Sequence, residues 1–444
     1  MNLSLTHAAR WPLALLAAAL LAACGDTAKY PIESGMGPDP KLPEPVKRVI
    51  PTVKVAPVKR WAANAKPVAA AGLQVNAFAR DLDHPRWIYV LPNGDVLVAE
   101  TNAPPGPPNE GGGGLRDKVM NSMMQKAGAR TPSANRITLL RDADGDGVAE
   151  TRTQFLSGLY SPFGMALVGD RFYVANADAL VSFPYKDGDT HISAPPSFVA
   201  NLPGGINHHW TKSLVASADG SRLYVGVGSN SNVAENGLDE ELNRAAILQI
   251  DPASGSTRVY ASGLRNPVGM AWAPGTDTLW VVVNERDELG SDLVPDYLTS
   301  VRPGGFYGWP YSYYGQHVDQ RVSPQKPELV ASAIKPDYAL GAHTASLGLS
   351  FASGELLPPR FRNGAFIGQH GSWNRDPPSG YKVIFLPFVD GRPQGKPITV
   401  LDGFLDAEGN AQGRPVGVAS DRRGALLVAD DVGNAIWRVA PAEA

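Results

Sequence analysis

The sequence predicts an all-β fold, a six-bladed β-propeller, and three observations carry that expectation. First, a pair of short alternating runs about a polar turn recurs six times. The copies begin LDHPRWIYV at Leu82, LYSPFGMAL at Leu159, NHHWTKSLV at Asn207, LRNPVGMAW at Leu264, HTASLGLSF at His343 and GRPVGVAS at Gly413. Two such runs about a turn read as a hairpin, and a repeat spaced by tens of residues indicates an array of like units. Second, no unit is long enough to form a β-sandwich domain of its own. Radial packing lets each sheet cover its neighbours and leaves only short edges. Third, the 444 residues contain 47 glycines and 39 prolines, the punctuation of many turns, and long helical periodicity is nearly absent.

The chain divides into three parts: residues 1–24, a targeting segment; 25–70, a tether; and 71–444, the propeller. Arg10 precedes an apolar run, 11–23, too short to span a bilayer. The run ends Leu21-Ala22-Ala23-Cys24, which resembles the bacterial lipobox and predicts a lipid on Cys24. Gly25 after the cysteine resembles lipoproteins sent to the outer membrane, so the expected location is the periplasm, anchored there. Cys24 is the only cysteine, which excludes an internal disulfide. Residues 25–70 are rich in Pro, Lys and Ala and read as an extended tether unable to bury much apolar surface. A net charge of −3 gives no electrostatic footprint for nucleic acid.

Two insertions stand out. Residues 102–135 interrupt the first unit, and 115–123 read as a short amphipathic helix covering one end of the propeller. Asp142, Asp144, Asp146 and Glu150 then fall at positions 1, 3, 5 and 9 of an EF-hand-like loop, with Gly147 at 6. Calcium needs six or more oxygens; this spacing wraps four carboxylates round one point, and the Val148 carbonyl adds another. Position 12 is Thr153, so the bidentate glutamate of a sensor is missing and the expected role is structural.

The chemistry emerges when the units are aligned on Pro85, Pro162, Thr211, Pro267 and Pro415. His209 and Arg265 lie two residues before this reference; His84, Ser161, Trp210, Asn266 and Arg414 lie one before it. If the first run of each unit is the innermost strand, these residues ring one end of the axis. Guanidinium groups for carboxylates, an amide for carbonyls and an indole for stacking suit a planar polyanion. His208 and His209 point to opposite sides of an extended run, so only one can face the axis. Counting from the Asp219-Gly220 turn selects His209; counting from Lys212 selects His208.

At NHHWTKSLVASADGSRLYVGVGS, ASGLRNPVGMAW, NERDELGSDLVPDYLTSVRPGGFYGWP, HTASLGLSF, GQHGSWNR and GRPVGV the sequence resembles the soluble pyrroloquinoline quinone (PQQ) sugar dehydrogenases, most closely their sorbosone dehydrogenase-like branch. The resemblance implies PQQ and a calcium ion at the axial end. It implies His209 as general base, Arg265 and Asn266 as PQQ contacts, and main-chain carbonyls of Asp287 and Glu288 on the PQQ calcium. Arg414 matches the first of two arginines in the last blade, where the second is Val416 here. The fifth-blade lysine is absent, with His370 and Arg375 as nearby substitutes. The expected substrate is an aldose or hydroxy-aldehyde, and the electron acceptor a quinone or cytochrome. No Gly-x-Gly-x-x-Gly element opens a helix, so nicotinamide chemistry is not supported. A calcium-dependent lactonase-type hydrolase and a non-catalytic binding lipoprotein remain as alternatives, since propellers host many functions.

Overall fold

A computed structural model describes residues 26–46, 52–106, 128 and 131–442. The lipobox with Cys24 and the amphipathic stretch 115–123 lie outside the described residues. Six sheets of antiparallel strands form the propeller. Blade 1 runs Pro85–Val90, Val96–Glu100, Arg136–Arg141, Thr151–Leu156; blade 2 runs Gly164–Val168, Arg171–Ala175, Ala179–Pro184, Ser197–Asn201. Blade 3 runs Lys212–Ala216, Leu223–Val227, Ala246–Ile250, Thr257–Ser262; blade 4 runs Pro267–Trp272, Leu279–Val283, Pro295–Ser300, Tyr338–Ala342. Blade 5 runs Ser346–Phe351, Gly364–Gln369, Lys382–Val389, Ile398–Asp402. Blade 6 takes Pro415–Ser420, Leu426–Asp430 and Ala435–Pro441 from the C-terminal end, and its outer strand, Leu73–Ala79, from before blade 1. That pairing closes the ring and removes an edge.

The first strand of each blade is the innermost, and each touches the inner strands of the two adjoining blades. Their close approach needs glycine. A Cβ on Gly348 would sit 2.1 Å from the Val416 carbonyl oxygen, and one on Gly269 would sit 2.6 Å from the Leu349 nitrogen. Between blades lie the apolar cores. Leu97, Ile137, Phe155, Met165, Phe172 and Val174 bind blade 1 to blade 2, and Phe366, Val383, Phe385, Val428, Trp437 and Val439 bind blade 5 to blade 6. Second strands are therefore covered on both faces, and Leu279–Val283 is buried throughout. Along the axis Phe163, Trp210, Val268, Leu347 and Val416 form an apolar plug.

The described part of residues 25–70 differs from the extended tether expected of it. It is docked as a strap. Met36–Gly37 adds a strand to blade 4 and Val68–Ala69 a strand to blade 5. Asp26 accepts the Ser291 amide at 2.8 Å, the Val46 amide donates to Leu289 O at 2.9 Å, and Lys54 N donates to Trp373 O at 2.7 Å. Trp61 packs edge-on against Phe404 and Trp437. Composition predicted little apolar burial; main-chain pairing to loop and edge groups supplies what side chains do not. Among the described residues, no helix is long and apolar enough to cross a membrane.

Candidate active site at the axial end

The residues before each inner strand do converge on one end of the axis, where the apolar plug forms the floor. His209 is held by its Nδ1, which lies 2.9 Å from the Ser229 carbonyl oxygen and 3.0 Å from its Oγ. A carbonyl only accepts, so Nδ1 carries the proton and Nε2 keeps its lone pair. Burial, then the positive charges of Arg265 and of His208, push the His209 pKa well below its ordinary value. The ring is neutral near pH 7. His208 is exposed, and its pKa is also lowered, by burial among protein atoms and by Arg265, against Asp287 and Glu235. Gly228 lets His209 and Asn266 meet, for a Cβ there would lie 2.4 Å from His209 Cβ and 2.5 Å from Asn266 Oδ1. That Asn266 oxygen is buried with no partner.

Arg265 is placed beside the histidines but is not free. It is 1% exposed; Nε and Nη2 donate to the main-chain and side-chain oxygens of Asn232 at 3.3 and 2.9 Å. Nη1 donates to Glu285 O at 2.7 Å, and Nη2 also reaches Asp287 Oδ2 at 3.2 Å. It therefore acts through its charge, and the direct hydrogen bond to a cofactor implied by the resemblance would displace one of these bonds.

The Asp287 main-chain carbonyl, expected to hold calcium, is turned away. It accepts Arg321 Nη1 at 2.8 Å and Asn232 Nδ2 at 3.3 Å, which uses both lone pairs. The Asp287 carboxylate, 15% exposed, is instead the oxygen presented near the histidines. It accepts Asn374 Nδ2 at 2.7 Å and faces His343 Nδ1 at 3.6 Å. Burial works to raise its pKa, but Arg265, His343 and Asn374 outweigh it and the net shift is down. Glu288 follows, exposed, with a left-handed φ of 68°. With both lone pairs engaged, the Asp287 carbonyl is not free for the calcium expected of it.

Across the axis stands a second cluster, from blades 1, 5 and 6. Asp431 accepts His370 Nε2 at 2.9 Å and Arg86 Nη1 at 2.9 Å, with His84 Nε2 at 3.6 Å. Burial opposes ionisation of Asp431, but His370, His84 and Arg86 hold it well below the usual carboxylate range. Burial pushes His84 down to about 4 and lowers His370 as well. Arg414 joins them; its guanidinium lies 5.0 Å from the Tyr381 ring and Nη2 donates to Ala56 O at 3.3 Å. His84 Nε2, Arg86 Nε, Arg414 Nε and Asp431 Oδ1 are all buried without partners. Trp210 lies beneath, edge-on to Phe163, with Arg86 5.7 Å from its ring.

Arg375 is a correction. It is 4% exposed in its side chain and turns to the strap, donating to Pro377 O at 2.7 Å and lying 3.6 Å from Asp292. It lines a cavity of about 670 Å³ under Tyr30, Ile32 and Met36, between blades 4 and 5 and off the axis. The docked strap helps set its direction, for Nη2 also donates to Tyr30 O at 3.5 Å, a contact from distant sequence that no local pattern announces.

The Asp142 loop lies at the opposite end, beside the Asp421–Arg423 turn that follows the inner strand of blade 6. One oxygen from each of Asp142, Asp144, Asp146 and Glu150 lies within 4.8 Å of the others. The Gly145 and Gly147 amides donate to Asp142 at 2.6 and 2.9 Å, and Val148 N to Asp146 at 2.8 Å. Asn76 Nδ2 on blade 6 donates to Gly147 O at 2.7 Å, so the loop bridges the seam between blades 1 and 6.

Sequence reasoning missed Arg86, Asp431, His343 and Asn374. Arg86 had a signal: it follows Pro85, as Phe163, Val268 and Val416 follow Pro162, Pro267 and Pro415 into the axial plug. Asp431 sits beyond a strand end and had none.

A family model described as a domain of unknown function (DUF7133) matches residues 72–372, and a TrAA12-like model matches 317–442. An uncharacterized protein of Borreliella burgdorferi is 32% identical over 293 residues, 63% of this chain and 76% of that one. The pyrroloquinoline quinone-dependent pyranose dehydrogenase of Coprinopsis cinerea is 28% identical over 263 residues, 49% of this chain but 35% of that longer protein. The holo PQQ domain of the Coprinopsis cinerea pyranose dehydrogenase superposes with a TM-score of 0.66 at 20% identity, covering 87% of this chain and all of that domain. The six-bladed fold is shared with solved PQQ-dependent dehydrogenases, part of the sequence is similar to theirs, and the chain belongs to the DUF7133 domain family.

Proposed function

We propose that the protein is an exported PQQ-dependent oxidoreductase that oxidises an aldose or hydroxy-aldehyde. The observation that carries this reading is His209, a neutral imidazole with a fixed tautomer, facing a wall of buried cations and unpartnered polar atoms across the axis. The orphaned Arg86 Nε and Arg414 Nε donors fit a planar ligand bearing carboxylates, and the orphaned Asn266 Oδ1 would accept from an N–H or O–H of a ligand. Such buried atoms call for partners that the described residues do not supply.

When bound, the quinone supplies a two-electron acceptor for hydride. His209 Nε2 takes the substrate hydroxyl proton as hydride leaves the same carbon, so the C–H and O–H bonds break and a C=O bond forms. Arg265 keeps the base neutral through its charge and favours negative charge developing nearby. Asn266 and Arg414 hold the cofactor edge, and Trp210 with Phe163 floors the site and excludes water. A calcium ion beside the cofactor is expected from the resemblance, but the Asp287 carbonyl is already spent and no step is assigned to the ion. Titrating metal-free protein with PQQ and calcium, read by absorbance and by dye reduction with a panel of aldoses and hydroxy-aldehydes, tests this reading. Absence of PQQ uptake would sink it.

One observation favours the hydrolase alternative: the Asp287 carboxylate, Asn374 and Asn232 converge on one side of the axis. Lactone hydrolysis that needs calcium and not PQQ would select that reading.

A further inference from the structure

We propose that Arg86 anchors a carboxylate of the cofactor, standing on blade 1 for the arginine that Val416 replaces on blade 6. The proposal rests on the PQQ reading above. Position makes the first argument. At or just before the start of the inner strands of blades 2, 4, 5 and 6, Phe163, Val268, Leu347 and Val416 join the axial plug, and the cation of blade 3, Lys212, is already spent on Asn207 Oδ1 and the Trp210 carbonyl. Blade 1 places a guanidinium at that level. Its inner strand lies directly beside that of blade 6, and its guanidinium stands close to that of Arg414.

Charge makes the second argument. Arg414 stands close enough to disfavour the charge on Arg86, and the carboxylate that pairs with Arg86 is Asp431. Burial keeps His84 and His370 neutral near pH 7, so the cations of this wall are the two arginines, and the Asp430 carboxylate behind it is engaged by Trp61, Trp437 and two main-chain amides. Buried guanidinium N–H groups are costly unless a partner is supplied. Asp431 occupies Nη1 of Arg86, and Nε of both arginines has no partner. The Arg86 side chain keeps 12% exposure, and that of His370 20%, so an anion can reach the wall from the axial opening. A planar fork with unspent N–H groups, flanked by an indole, is the geometry that receives a carboxylate on a flat ring system. Asp431 then fixes the fork and the His370 ring in place without filling them.

The test is PQQ binding to metal-free protein with calcium, followed by absorbance and tryptophan fluorescence, for wild type, Arg86→Gln and Arg86→Lys. The trimethyl ester of PQQ serves as a ligand whose carboxylates carry no charge. Wild type is expected to prefer PQQ to its ester. Arg86→Gln should weaken PQQ roughly 10–100-fold, the range for losing a hydrogen bond to a charged group, and leave the ester nearly unchanged. Arg86→Lys should recover part of the loss. Equal PQQ affinity in wild type and Arg86→Gln overturns the proposal, as does an equal loss for PQQ and ester, which marks a general packing defect. If Arg86→Gln does not fold by thermal melting, the Arg86→Lys comparison decides: an undiminished preference for PQQ over its ester overturns the proposal. Failure of wild type to bind PQQ at all removes the cofactor reading itself, an outcome distinct from the others.

Discussion

The Nδ1 of His209 lies 2.9 Å from the carbonyl oxygen of Ser229, and this one contact decides what the imidazole can do. The proton on Nδ1 is spent on an acceptor, so Nε2 is a base at rest. His208 has no such anchor. It is exposed, with its ring 4.6 Å from that of His209, and edge-on to it.

The first prediction separates the two. His209→Ala should still bind PQQ but lose about 10²–10⁴-fold in turnover, the usual cost of removing a general base. His208→Ala should stay within roughly tenfold, a barrier change of about 1.4 kcal/mol. Dye-reduction kinetics at saturating PQQ measure both. Swapped phenotypes would assign the base to His208, the register that counting from Lys212 selects.

How far the sequence reached is seen by comparing Asn266 with Arg375. Asn266 was legible because its place is set by a repeat: the strand that follows, the proline and the glycine recur in other blades, so alignment fixes its level on the axis. Arg375 sits in a loop between strands, where no repeat applies, and its direction depends on a strap more than 300 residues earlier in the chain. The same contrast separates Arg265 from Asp287. Period and turn placed Arg265 correctly, but its bonding to Asn232 and Glu285 is a property of three loops meeting. The blades were readable because alternation and turn residues are local signals. Closure by Leu73–Ala79 was not, since nothing in that run names its partner.

A second prediction concerns export. Residues 21–24, Leu-Ala-Ala-Cys, motivate a lipid on Cys24. Cys24→Ala should move the folded protein from the membrane pellet to the soluble fraction, read by fractionation of the producing cells. Retention in the pellet would place the attachment elsewhere.

A third concerns the acidic loop at the seam of blades 1 and 6. Four carboxylates with oxygens within 4.8 Å repel one another unless a cation sits among them. We expect calcium to raise the melting temperature and Asp144→Ala to abolish most of that rise, with turnover of the folded enzyme nearly intact. The PQQ-dependent calcium effect is held constant by saturating with cofactor. A melting temperature indifferent to calcium in wild type would remove the site.

The last prediction follows from Asp430, which ties the strap to blade 6. Its carboxylate is fully buried and accepts Trp61 Nε1 at 2.7 Å, Trp437 Nε1 at 3.0 Å, and the amides of Arg414 and Gly433 at 2.8 Å. Burial raises its pKa and the four donors lower it; burial wins, and the value stands at about 6. In the unfolded chain an aspartate titrates near 3.9. Between those values the folded state holds more protons than the unfolded one, so stability falls as pH rises. The contribution is full below about pH 4 and is lost as pH passes through 6, with an upper bound of roughly 3 kcal/mol. Asp296, also raised to about 6, adds a slope of the same sign, so the comparison must be between variants. Asp430→Asn should flatten the decline between pH 4 and 6 in denaturant melts, whatever its absolute stability. Trp61→Phe removes one donor to the anion, raises the Asp430 pKa further and should carry the decline above pH 6. An unchanged slope in both variants would mean that the indoles and amides hold Asp430 ionised throughout, and that the strap is fastened by charge rather than by a carboxyl that titrates.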